Sequence, residues 1–80
     1  MTLKELLKVV QDQSFRLLVY DRNDNYVETI AYSRYRSMFN LNKKEHTEAE
    51  EKLTALLKSR NVVKFLHSAE FYPDIGVRRI

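Results

Sequence analysis

The sequence predicts an α+β fold, in which a four-stranded antiparallel sheet carries two main helices and one short helix on one face, in the order α-β-β-(α)-α-β-β. Two segments repeat apolar residues at helical spacing. Four other segments alternate with a period of two, as strands with one buried face do. With only 80 residues, the chain is expected to form a single domain over residues 1–80.

The first element is a helix that starts with a capping box. Thr2 and Glu5 have the T-x-x-E spacing, in which each side chain can accept a hydrogen bond from an otherwise unpaired amide of the first turn. Apolar residues then recur at i, i+3, i+4 and i+7, namely Leu3, Leu6, Leu7 and Val10. We expect this helix to end near Asp12.

A hairpin follows the first helix. Residues 14–20 alternate as a strand, residues 21–25 are rich in turn-forming Asp and Asn, and residues 26–32 form the returning strand. The inner face of that second strand is ambiguous. One side carries Tyr26, Glu28, Ile30 and Tyr32, and the other carries Val27, Thr29 and Ala31.

The second main helix is expected after a loop at residues 40–44. Thr47 and Glu50 repeat the capping-box spacing, and Lys58 and Arg60 lie at the negative end of the helix dipole. Asn61 is then expected to be a left-handed cap. The apolar stripe of this helix consists of Ala49, Leu53, Leu56 and Leu57.

The chain closes with two further strands around a turn. Residues 62–68 alternate with Val63, Phe65 and His67 on one face, residues 71–76 hold the only Pro and the only Gly, and residues 75–80 form a strand that pairs back. A chain this short must use most of its large apolar residues in the core. The predicted core residues are Leu3, Leu6, Leu7, Phe15, Leu17, Val19, Leu53, Leu56, Leu57, Val63, Phe65 and Val77.

The composition argues against several classes of function. The chain has no cysteine for thiolate metal sites, and one glycine cannot build the common phosphate-binding loops. His46 and His67 lack metal-ligand spacing, and Glu48 with Glu51 fit a solvated helix start better than an acid–base pair. We therefore expect no enzyme activity, no cofactor and no metal. The longest apolar run, residues 17–20, predicts no membrane segment and a cytoplasmic protein.

Residues 31–40, "AYSRYRSMFN", combine aromatic and basic side chains. As a helix with Ser33 as N-cap, this segment would place Tyr32, Tyr35 and Phe39 on one stripe and separate Arg34 from Arg36; as a strand it would place both arginines on one face. The helical pattern is the cleaner one and favours aromatic packing against the core. What remains for binding is an acid-free basic segment from Arg34 to Lys44.

The predicted function is therefore binding to another macromolecule. Tyrosine and arginine are enriched at interface hot spots, and aromatic rings beside cations also suit single-stranded nucleic acid. We expect a protein partner, with single-stranded nucleic acid as the alternative, no membrane, and a monomer or a homodimer. The net charge of +3 is modest for a nucleic-acid-binding domain. The predicted partner-binding residues are Tyr20, Tyr26, Arg34, Tyr35, Arg36, Lys43, Lys44 and Tyr72.

The opening "MTLKELLKVVQDQ", followed by "FRLLVYDRNDNYVETI", resembles small uncharacterised accessory proteins encoded by phages and prophages of Gram-positive bacteria. The resemblance implies an accessory, non-catalytic role, such as inhibition of host or defence machinery, anti-CRISPR proteins included. It supplies no functional residues, because no functional motif is shared. Many CRISPR inhibitors are acidic DNA mimics, and the basic charge of this chain argues against that mechanism.

Overall fold

The computed structural model describes residues 1–10, 14–34 and 39–80. Its helices are α1 (Leu3–Val9) and α2 (Lys43–Lys58). Its strands are β1 (Ser14–Tyr20), β2 (Tyr26–Ser33), β3 (Asn61–His67) and β4 (Asp74–Arg79). The described elements thus run α-β-β-α-β-β, a small α+β fold.

The predicted short helix is not among these elements. Most of it falls on residues 35–38, which lie outside the described residues. Ser33, its expected N-cap, is the last residue of β2, and most of the positions that would form the first turn after it lie outside the described residues. The Ser33 hydroxyl lies 2.8 Å from the Ser14 hydroxyl across the β1–β2 pair, so both side chains are satisfied within the sheet.

The sheet is mixed, and the predicted antiparallel sheet is wrong. The strand order is β2-β1-β4-β3, with antiparallel pairs at both edges and a parallel β1–β4 pair at the centre. Both hairpins are antiparallel as expected, but how two hairpins join is not a local property of the sequence. Parallel pairing places Leu17 beside Ile75 and Val19 beside Val77, so the two most buried strands share the centre.

The hydrophobic core lies between one face of this sheet and the two helices. α1 contributes Leu3 and Leu6, and α2 contributes three side chains to the same cluster. The predicted core residues Leu7, Leu57 and Val63 are partly buried against it. The fully assembled core consists of Leu3, Leu6, Phe15, Leu17, Val19, Ile30, Ala49, Leu53, Leu56, Ile75 and Val77.

Helix α1 starts as predicted and ends earlier. The Thr2 hydroxyl accepts a hydrogen bond from the Glu5 amide (3.2 Å), and the Glu5 carboxylate accepts one from the Thr2 amide (3.0 Å). The helix ends at Val9 rather than near Asp12, with Val10 as its C-cap in extended conformation. Because Leu3 and Leu6 already lie in the core, two turns are enough to anchor the helix.

Helix α2 starts five residues before the Thr47 cap that the sequence predicted. Asn42 is the N-cap: its side chain accepts from the Glu45 amide (2.8 Å), and the Glu45 carboxylate accepts from the Asn42 amide (3.4 Å). Thr47 instead donates its hydroxyl to the carbonyl of Lys43 within the helix (2.9 Å). The earlier start adds a turn that carries His46 to β2, where Nε2 lies 2.8 Å from the carbonyl oxygen of Ser33.

The expected left-handed cap at Asn61 is also wrong. The C-cap of α2 is Ser59, in extended conformation, and Asn61 opens β3 with only 4% of its surface exposed. Its side-chain amide instead donates hydrogen bonds to the carbonyls of Leu56 and Ser59 at the end of α2.

Irregularities in the two edge pairs decide which side chains leave the core. In the β1–β2 pair, Val19 lies opposite Glu28 but Tyr20 lies opposite Tyr26, so Val27 is an extra residue. Because of this shift, Glu28, Ile30 and Tyr32 face the helices, whereas Tyr26 faces the other side of the sheet. A second shift between Val63 and Phe65 inserts Lys64 as an extra residue. This shift turns Phe65 away from the core in which it was predicted to lie.

Candidate functional site

The face of the sheet opposite the helices, here called the open face, carries the side chains that alternate with the core residues. Within the described residues, both helices pack on the other side, since all of their buried side chains join the core cluster. The central strands contribute three residues each to the open face. They are Arg16, Leu18 and Tyr20 from β1, and Asp74, Gly76 and Arg78 from β4.

Two tyrosines and a lysine form one cluster on this face. The rings of Tyr20 and Tyr26 meet edge to face, with centroids 6.1 Å apart. The Lys64 ammonium lies 3.7 Å from the centroid of the Tyr20 ring and 2.6 Å from an Asp24 carboxylate oxygen. Because Tyr26 keeps 58% of its surface exposed, its ring is accessible to a ligand.

A second aromatic pair covers the centre of the open face. The Phe65 ring lies directly over Gly76, where an added Cβ atom would overlap the ring. The His67 ring stacks on Phe65 with centroids 4.7 Å apart and 27° between the planes. Glycine is therefore needed at position 76, because any side chain there would prevent the Phe65 ring of the edge strand β3 from lying across the central strand β4.

One cation of the open face is already neutralised. Arg16 donates two hydrogen bonds to the Asp74 carboxylate, from Nε (2.9 Å) and from an Nη (2.7 Å). The hydrogen bond with Asp74 raises the pKa of the Arg16 guanidinium, and the charge of Asp74 adds to the effect. This pair links the beginnings of the parallel strands β1 and β4 and leaves Arg16 little free charge for a ligand.

Four arginines line a pocket of about 380 Å³ at the other end of the central strands. This site, here called the arginine pocket, is lined by Arg22, Arg60, Arg78, Arg79 and Ile80. Arg22 comes from the β1–β2 turn and Arg60 from the α2–β3 connection, while Arg78 and Arg79 end β4 and Ile80 follows it. The Ile80 amide donates to the Arg60 carbonyl (2.9 Å), which fixes these two segments side by side.

The arginine pocket adjoins the open face, and no Asp or Glu side chain among the described residues lines it. Arg78 pairs in register with Tyr20 across the β1–β4 ladder, so the pocket begins beside the tyrosine cluster. The ion pairs among the described residues involve Arg16, His46 and Lys64, and none involves the four pocket arginines.

The structure places the predicted partner-binding residues in several locations. Tyr20 and Tyr26 lie together on the open face. Tyr72 contacts Phe39 instead, with ring centroids 4.8 Å apart. Arg34 is exposed just past the end of β2.

The remaining members of the predicted set lie elsewhere. Lys43 and Lys44, expected in a loop, form the first turn of α2, which packs on the opposite side of the sheet from Tyr20. Tyr35 and Arg36 lie outside the described residues. Tyr32 faces the helices and packs beside Phe15, with ring centroids 5.3 Å apart, so this one aromatic of residues 31–40 borders the core.

Sequence reasoning missed the arginine pocket altogether. Its four arginines come from three separate segments, and the only local signal was the pair Arg78–Arg79 at the end of the last strand. Phe65 and Lys64 were missed for another reason, since a bulge reverses the strand alternation on which the prediction depended.

Over the described ranges, no three His, Cys, Asp or Glu side chains are grouped so that they could hold a metal ion. The described helices include none that is long and apolar enough to span a membrane.

Comparisons with protein-family models, with curated proteins and with solved structures found no match to this chain.

Proposed function

We propose that the protein binds single-stranded nucleic acid across the open face. The observation that carries this proposal is that the exposed aromatic rings of the open face adjoin the arginine pocket at the end of the central strands. Proteins that bind single strands combine aromatic rings, on which bases stack, with cations that follow the phosphate backbone.

The aromatic part of the site supports base stacking. Tyr26 is held in place by its neighbour Tyr20 and by a 2.8 Å hydrogen bond between its hydroxyl and that of Thr29, yet most of its surface is exposed. His67 lies exposed on top of Phe65. Rings that are positioned before binding lose little conformational freedom when a base stacks on them.

The charges on the two sides of the sheet support the same proposal. The two helices carry five glutamates and six lysines, so their charges nearly cancel. On the open face Arg16 and Lys64 are paired with Asp74 and Asp24, whereas the arginine pocket adds four arginines that form no ion pair within the described residues. A polyanion therefore meets the sheet side more favourably than the helix side.

The test is fluorescence anisotropy at low salt with a labelled mixed-sequence strand. A strand of about a dozen nucleotides lies within the usual range of site sizes for small single-strand binding domains. Tyr26→Ala and His67→Ala should each weaken binding by about 1 to 3 kcal/mol, the usual contribution of one stacked base. Phe71→Ala is the matched control, because Phe71 is 75% exposed but lies outside the aromatic clusters. Absence of binding at low salt, or an equal loss in the Phe71 variant, would refute the proposal.

A second candidate, protein binding, has its own supporting observation. β2 is an edge strand, and it exposes Val27 (51%) next to Tyr26. Such an edge can accept a strand from another chain, including a second copy of this one. If light scattering gives twice the monomer mass and Val27→Lys restores the monomer, the β2 edge is an interface between two copies of this chain.

A further inference from the structure

The arginine pocket is an unusual arrangement of like charges. Four arginines and one isoleucine, Ile80, line a single pocket of about 380 Å³. Like charges around one pocket repel one another, and an anion bound among them would relieve that repulsion. An arginine cluster whose described lining has no Asp or Glu is therefore a candidate anion site.

The acids nearest along the chain are already committed to other groups. Asp21, the neighbour of Arg22, accepts hydrogen bonds from the amides of Asn23 and Asn25, both at 2.9 Å. Asp24 in the same turn pairs with Lys64. The turn that supplies Arg22 thus has acids of its own, yet they do not neutralise the pocket.

We infer that the arginine pocket binds a phosphate group. The planar fork of a guanidinium matches two phosphate oxygens, and arginines supplied by three separate segments can contact a tetrahedral anion from several sides. Three of the four arginines are exposed at the surface, so a phosphate can enter without rearrangement of the fold. The fixed backbone contact between Ile80 and Arg60 holds two sides of the site in place.

Two sources can supply such a phosphate: the backbone of a bound strand, or a free oligophosphate. As a strand site, the inference rests on the proposed function. Arg78 is the register partner of Tyr20, so a strand stacked on the tyrosine cluster would carry its next phosphates towards the pocket. As a site for free oligophosphate, it needs no strand at all.

The first experiment measures the affinity for inorganic tripolyphosphate by titration calorimetry at fixed ionic strength. The double variant Arg60→Gln, Arg79→Gln should lose at least tenfold in affinity. Lys4→Gln, Lys52→Gln is the matched control: it removes the same two charges from exposed helix positions and should change affinity less than twofold. Equal losses in both variants, or no saturable binding by the unmodified protein, would overturn the inference.

A conservative variant separates geometry from charge. Arg60→Lys, Arg79→Lys keeps both charges but removes the guanidinium forks, so it should bind tripolyphosphate with intermediate affinity. Full retention of affinity would show diffuse charge attraction rather than a phosphate site. Thermal unfolding of each variant, expected to match the unmodified protein because both arginines are exposed, checks that the fold is intact.

A competition experiment distinguishes this inference from the proposed function. If tripolyphosphate displaces a labelled single strand, and the glutamine variant weakens both ligands, the pocket takes the strand's phosphate. If tripolyphosphate binds but no strand does at low salt, the phosphate site stands and the proposed function fails. If a strand binds while the glutamine variant retains full affinity for it and tripolyphosphate does not bind, the pocket inference fails alone.

Discussion

Asn61 joins three elements through one buried amide. Its Oδ1 accepts from the Leu3 amide at 2.8 Å, and its Nδ2 donates to the carbonyls of Leu56 (3.0 Å) and Ser59 (2.9 Å). The start of α1 and the end of α2 are thereby tied to the first residue of β3. Replacing this side chain should cost more stability than replacing an exposed helix cap, because water cannot reach the buried backbone groups that it satisfies.

We predict that Asn61→Ala lowers the free energy of unfolding by about 2 to 3 kcal/mol, because it leaves the buried Leu3 amide without a partner. Asn61→Asp should cost at least as much at neutral pH, since a carboxylate cannot donate to the two carbonyls. Urea denaturation measures both. Asn23→Ala, in the exposed β1–β2 turn, is the control and should stay within about 0.5 kcal/mol. A similar small effect at Asn61 would contradict the three-way contact.

The Asp21 carboxylate should make the free energy of unfolding depend on pH in the acid range. Hydrogen bonds from the Asn25 amide, and then from the Asn23 amide, hold the pKa of its carboxylate below the ordinary value of 3.8. A depressed pKa in the folded state means that the ionised form is stabilised by folding. The contribution is complete above about pH 5 and is lost as the pH falls from the unfolded pKa through the lower folded pKa.

The measurement compares the free energy of unfolding of the unmodified protein with that of Asp21→Asn from pH 7 to pH 2.5. Asparagine keeps an acceptor oxygen in the turn but cannot titrate. The unmodified protein should therefore lose its advantage over the variant below about pH 4, in the window that the lowered pKa defines. A difference that does not change with pH would show that the turn does not stabilise the ionised carboxylate.

At the scale of elements, α2 shows how two similar start signals compete. Asn42 with Glu45, and Thr47 with Glu50, both have the spacing of a capping box. The earlier signal defines the helix because the additional turn brings His46 against β2, a contact that no local pattern reveals. We predict that Asn42→Ala destabilises the protein by about 1 kcal/mol.

Thr47→Ala is the matched test at the rejected start. Thr47 is exposed and bonds only the carbonyl one turn earlier, so its replacement by a better helix former should be neutral or slightly stabilising. Thermal or urea unfolding of both variants decides. If Thr47→Ala proves the more damaging of the two, the helix begins where the sequence pattern placed it.

The elements themselves could be predicted from local chemistry, and their pairing could not. The α1 capping box, the bounds of β1 and the Asp-rich turn all follow from short-range spacing. The parallel contact of β1 with β4 depends on two segments more than fifty residues apart, which no periodicity reports. The faces of Tyr26 and Phe65 depend on register shifts that reverse the expected alternation.

At the scale of the whole molecule, the mixed sheet explains where the candidate site lies. Parallel pairing brings the end of β4 beside the end of β1, and so places Arg78 and Arg79 near the turn that carries Arg22. An antiparallel pairing of these two strands would have sent the last residues of β4 towards the beginning of β1. The arginine pocket and its position beside Tyr20 are therefore consequences of the topology, and the predicted antiparallel sheet could not have revealed them.

The last prediction separates the two halves of the site by their salt dependence. Binding to a single strand weakens with salt, and the logarithm of the affinity falls by about 0.7 per phosphate contact for each tenfold rise in salt. Arg60→Gln, Arg79→Gln should therefore make the salt dependence shallower by about 0.7 to 1.4 in these units. Tyr26→Ala should lower affinity at every salt concentration and leave the slope unchanged, because stacking releases no counterions. Anisotropy titrations between about 50 and 200 mM salt measure both slopes. If the arginine and tyrosine variants change the slope equally, the open face and the arginine pocket do not divide stacking and phosphate binding between them.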